Sequence, residues 1–183
     1  NFIESNYSSW MYSDNRPDFT NDIVCKYIRP LLKDDEKVCL LVVDCMRYDH
    51  CKAMLPILEP LFNIDLKYCF SLLPTATPYS RNAIFSGLFP DQMVEKYPKQ
   101  GSAMKEESSS LNQYEETFLI DQLNHLELNE KSLYYHKIWE VNEGNKFANR
   151  IKDFSQKDLI ALVVNFVDIL AHKSSQMDVL REM

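Results

Sequence analysis

Two threonines, two aspartates and a histidine have the types and spacing to do chemistry in this 183-residue chain: Thr75, Thr77, Asp44, Asp168 and His172. The threonines lie in LPTATPYSRNAIFSGLFP, residues 73–90. Pro74 and Pro78 disfavour the helical state for Leu73 and Thr77. Pro78 suits the first position of a helix, where its missing N–H is no loss. The spacing therefore predicts Thr77 as the N-cap of a helix that runs through Tyr79, Arg81, Ile84 and Phe85 and stops at Gly87. A hydroxyl there sits among unsatisfied backbone N–H groups at the positive end of the helix dipole, a setting that welcomes phosphate or an incipient alkoxide. On local grounds alone, a threonine at an N-cap is ordinarily only a cap. Asp168 and His172 stand four apart, which on a helical turn puts both on one face, able to grip one cation. Mixed carboxylate and imidazole ligation suits zinc or manganese better than calcium.

These residues need elements to carry them. Residues 38–43, VCLLVV, form an unbroken apolar run, expected as a central strand covered on both faces, and it ends on Asp44. LIALVVNFV, 159–167, is a second buried strand and ends on Asp168. A strand over 65–73 would deliver the Thr77 turn, and 132–138 is a further strand. Helical spacing is read at 22–32, bent near its end by Pro30, at 47–55, closed by Pro56, at 116–126 and at 142–154. A short amphipathic piece surrounds Met93 and Tyr97. Residues 1–20 show no clear period, and 1–37 read as an entry segment and helix leading from a preceding domain. Residues 98–116, charged and serine-rich, read as a mobile loop within the 38–183 domain.

Strands alternating with helices predict an α/β fold, a mainly parallel sheet sandwiched between helices. Ligands of such sheets bind beyond the carboxyl ends of the strands. That rule would bring Asp44, Thr77 and Asp168 to one edge.

Composition narrows the partners. A net charge of −7 and a pI near 5.1 argue against general attraction to nucleic acid or an anionic membrane. Three glycines leave no room for a dinucleotide-type or P-loop phosphate cradle. Cys25, Cys39, Cys45, Cys51 and Cys69 form no CxxC pair and are expected as buried thiols of a reducing, cytoplasmic compartment. Arg47 is read as a surface ion pair, Asp49 as solvated, and His50, His125 and His136 as ordinary exposed or packed histidines.

Taken in order, VVDCMRYD, PTATPYSRNAIFSGLFP and VVNFVDILAH resemble the alkaline phosphatase superfamily, in particular its PglZ-type domains. The likeness extends to the PglZ-like effector domain of PorX-type response regulators, linked to type IX secretion. It spans 38–172. The resemblance implies a phosphodiesterase with two zinc ions, manganese being the other choice. Asp44 and Thr77 would bind one ion, with Thr77 also the nucleophile, and Asp168 and His172 would hold the other. Thr75 is the second choice for the nucleophile. The superfamily completes its sites with an Asp-His pair and a further histidine; none follows His172, so the fold is expected to be incomplete at the C-terminal end. A covalently linked receiver domain, a homodimer and a phosphodiester substrate are the implied partners. The competing expectation is a non-catalytic regulatory module that dimerises and keeps a structural metal site.

Overall fold

The computed structural model describes residues 2–11, 13–98 and 113–171. In chain order the elements are α1 (Phe2–Met11), a 3-10 turn (Thr20–Asp22), a π-helical turn (Val24–Ile28), α2 (Arg29–Lys33), β1 (Val38–Val43), α3 (Tyr48–Leu58), α4 (Thr77–Ser86) and α5 (Pro90–Lys96). They continue with α6 (Glu115–His125), β2 (Leu133–Ile138), α7 (Val141–Arg150), a 3-10 turn (Ile151–Phe154) and β3 (Leu159–Val164). Residues 166–171 are helical. Among the described residues no helix is long and apolar enough to cross a membrane. The chain divides into two compact units, Asn1–Glu36 with Lys67–Glu130 and Lys37–Leu66 with Lys131–Met183.

The second unit holds the sheet. Its order is β1-β3-β2 and every pairing is parallel, from Val38↔Leu159 to Val43↔Val164 on one side and Leu133↔Leu159 to Ile138↔Val164 on the other. The expected α/β class with a parallel sheet is therefore what forms. β2, α7 and β3 make one crossover unit, as parallel pairing requires. Ile160 and Leu162, two apart on β3, pack with Phe147 of α7, and Tyr134 and Phe154 close the cluster.

The central strand is β3, buried along its whole length, whereas β1 flanks it, with Cys39 and Leu41 exposed. The expectation of β1 as a central strand covered on both faces is corrected: it is an edge strand of the described sheet, and the face that carries Cys39 and Leu41 is open. α3 continues through Pro56 to Leu58, so that proline does not close it. A proline so near a helix end removes one ladder bond, and Glu59 N still donates to Leu55 O at 2.9 Å.

The first unit is built on Phe19, Leu72, Ala83 and Phe89, with Tyr7, Trp10 and Met11 of α1 laid against them. Residues 1–20 thus contain a helix whose 7, 10, 11 spacing is short but real. The single helix expected over 22–32 is instead a 3-10 turn, a π-helical turn and α2. Pro30 sits inside that run without an N–H to donate, and the ladder changes register ahead of it. No strand spans 65–73; one parallel bridge, Phe19↔Phe70, holds it, through Thr20 N to Phe70 O and Phe70 N to Asp18 O at 3.0 and 2.7 Å. The cysteines are not a buried set: Cys25, Cys39, Cys45 and Cys69 are exposed and Cys51 half-buried. Of the 98–116 loop, 99–112 lie outside the described residues, and Glu115 already opens α6, fully buried.

Candidate functional site

At the carboxyl end of the sheet two carboxylates, Asp44 and Asp168, both act on the Cys45 thiol. Asp44 prolongs the ladder one step past β1, its N–H donating to Val164 O at 3.0 Å. Cys45 then turns the chain with φ of 58°, in the left-handed region that a side chain enters at a cost of about 1–2 kcal/mol. The turn lets Cys45 N donate to Asp44 Oδ1 at 3.1 Å.

On the neighbouring strand, Asn165 N donates to Ile138 O at 2.9 Å, and Ile169 N to Asn165 O opens the helical stretch 166–171. Asp168 stands in that stretch, half-buried, so the expected strand to residue 167 ends three residues early, at Val164. From that stretch Asp168 reaches Cys45, whose thiol donates to it. Desolvation, then the charges of Asp168 and Asp44, then that hydrogen bond hold the Cys45 thiol above its ordinary range. Asp44 and Asp168 thus share one small negative region at the ends of adjacent parallel strands.

Two carboxylates from adjacent strand ends fit a divalent cation in charge and in ligand type. Among the described residues, no group of three or more His, Cys, Asp or Glu side chains is arranged to hold a metal ion. His172, the imidazole expected to join Asp168, lies outside the described residues.

Thr77 belongs to the first unit and opens α4, half-buried. The N-cap is Ala76, with Thr77 and Pro78 as the first two helical residues, so the expected cap shifts by one position. No side-chain cap bond is made there; the Ala76 carbonyl accepts from Tyr79 N and Ser80 N, both at 3.0 Å. The ordinary explanation for this threonine, that its hydroxyl closes the helix, is therefore not the one used. Thr75 is exposed, two residues earlier. Gly87 ends α4 as expected, with φ of 68° and its N–H on Ala83 O at 2.9 Å.

Arg47, Asp49, His50 and His125 behave as surface groups, and His136 is half-buried. Arg47 grips Asp49 with two hydrogen bonds of 3.0 and 2.6 Å, both side chains exposed. His50 Nδ1 accepts from Arg47 N at the start of α3, His125 is exposed, and His136 Nε2 lies 3.4 Å from Glu143 Oε1. Sequence reasoning missed Cys45, read as a core thiol although it adjoins Asp44, and Glu115, read as part of a loop.

A family model described as the BREX system PglZ alkaline phosphatase-like domain matches residues 23–183. No protein of curated function matches the chain significantly.

Proposed function

The chain belongs to the PglZ alkaline phosphatase-like family, and from that premise we propose a metal-dependent phosphodiesterase domain with Thr77 as its nucleophile and Asp44, Asp168 and His172 as cation ligands. The observation that supports it most is the pairing of Asp44 and Asp168 around Cys45 at the ends of β1 and β3. A bound divalent cation, zinc or manganese, supplies positive charge that eases ionisation of a hydroxyl and steadies a departing oxygen.

The chain's own part is the displacement. Thr77 Oγ1 forms a bond to phosphorus as its proton passes to a solvent water, and the ester oxygen leaves with its electron pair. Water then breaks the Thr77–phosphate bond, taking its place on phosphorus and returning a proton to the hydroxyl. Asp44 and Asp168 stay ionised throughout and hold charge, not protons. Diesters are favoured over monoesters on the strength of the threonine frame.

Hydrolysis of bis(p-nitrophenyl) phosphate by the full-length protein loaded with zinc or manganese tests this. Thr77→Ala is expected to lower kcat about a thousandfold or more, and chelation to abolish turnover, while Thr75→Ala stays within a few fold. Full activity of Thr77→Ala would sink the assignment. A second reading, a regulatory interaction module, is favoured by α3, which buries none of its residues and leaves Ile57 70% exposed. Absence of turnover in the fully metal-loaded protein selects that reading.

A further inference from the structure

α4 is an unusual helix to bury. Six of its ten residues are buried, and four of those are polar: Ser80, Arg81, Asn82 and Ser86. A helix docked for stability alone turns an apolar stripe inward. Here the inward groups are held one by one. Ser80 Oγ meets Ser71 Oγ at 2.6 Å, Asn82 Nδ2 donates to Pro78 O at 2.8 Å, and Ser86 Oγ accepts from Leu88 N at 3.2 Å.

The strongest of these contacts is ionic. Arg81 Nε donates to Glu115 Oε1 at 2.5 Å, with the two side chains 6% and 0% exposed. Fully buried pairs of this kind are seldom better for stability than apolar residues of the same volume, since both charges give up their water. What such a pair adds is direction. Arg81 stands four residues after Thr77, hence on the same face one turn along. Glu115 opens α6, and two turns further along α6 the Gln122 amide meets the C-terminal end of α4. With the amide turned so that both of its ends are satisfied, Gln122 donates to Phe85 O and Ile84 O at 3.0 and 3.2 Å and accepts from Gly87 N at 3.3 Å. A side chain at position 87 would put its Cβ 2.2 Å from the end of the Gln122 amide. One helix therefore holds the other at its middle and at its C-terminal end, two points that oppose rolling about the axis and sliding along it.

We infer that the Arg81–Glu115 pair is a positioning device for Thr77: it sets the roll of α4 and so the direction of the Thr77 hydroxyl. This rests on the reading of Thr77 as the nucleophile. Neither residue touches substrate; each acts through the helix.

The test is the double variant Arg81→Met/Glu115→Leu in the full-length, metal-loaded protein, with Thr77→Ala measured beside it on bis(p-nitrophenyl) phosphate. The double variant should melt within about 5 °C of the parent. Its kcat should nevertheless fall about ten- to a hundredfold with KM within about twofold, the signature of a misaimed nucleophile. Amide hydrogen exchange at 79–82 should quicken while the rest of α4 keeps its protection. Parent-like kcat, a change in KM alone, or unchanged exchange overturns the inference. Should the double variant fail to fold, Arg81→Lys carries the test, since it keeps the charge and loses the Nε geometry; parent-like kcat there overturns it equally. Thr77→Ala separates the two readings. If Thr77→Ala is inactive while the double variant is fully active, positioning alone falls; if Thr77→Ala is fully active, the nucleophile falls and positioning with it.

Discussion

Strands β1 and β3 spell nearly the same thing, VCLLVV and LIALVV, and lie hydrogen-bonded side by side in full register. Cys39 pairs with Ile160 and Leu41 with Leu162, so these side chains share one face of the sheet. On β3 that face is covered by Phe147 of α7, and Ile160 and Leu162 are 9% and 5% exposed. On β1 the same face leaves Leu41 53% exposed. Apolar content states what a strand tolerates around it. Which strand receives a covering layer is decided by its place in the sheet, and here α7, returning from β2 to β3, covers β3.

The widest expected gap is in chemical access. In mildly alkaline buffer Cys39 should react with a maleimide in the folded protein, even though desolvation holds its thiol above the usual range. An Ala161→Cys probe on the fully buried centre of β3 should react about a thousandfold more slowly or worse, because it must wait for unfolding. Comparable rates would dissolve the contrast between the strands.

Next in size is packing. Leu162→Ala should cost about 2–5 kcal/mol in urea unfolding, through lost burial and the cavity left under Phe147. A smaller effect is expected where the two strands end. Asp168→Asn removes a negative charge and the acceptor of the Cys45 S–H bond, so the Cys45 thiol should ionise at lower pH than in the parent. Mass-spectrometric alkylation of the Cys45 peptide across a pH series reads this, and an unmoved or raised midpoint would separate the two strand ends. Smallest of all, Leu41→Ala should change stability by no more than about 0.5 kcal/mol. A loss near that of Leu162→Ala would mean that the outer strand is covered after all.

Much of the framework was legible because its signals are local. The helical spacing at Phe118, Leu119 and Leu123 became α6, the run 132–138 became β2, and Gly87 ended α4 in the left-handed turn that only its lack of a side chain makes easy. Asp44 was visible as the residue closing an apolar run. The errors came where a neighbour distant in sequence decides. Apolar residues at 65–73 suggested a strand, yet a strand requires a partner along its length, and Phe19 pairs with Phe70 alone. Cys45 read as a core thiol, yet the end of β1 puts it beside Asp168, more than 120 residues later. Glu115 read as a loop charge, yet it is fully buried against Arg81.

The sequence by itself determined the class of fold and the family to which the chain belongs. Periodicity, proline and glycine punctuation, and residue type act within a few positions of the chain, so one sequence suffices to read them. Only the tertiary structure decided which apolar strand is enclosed, that Asp168 reaches Cys45, and that α4 is clamped by a buried charge pair on α6. Those outcomes depend on which surfaces meet, and burial and electrostatic environment exist only once they have met.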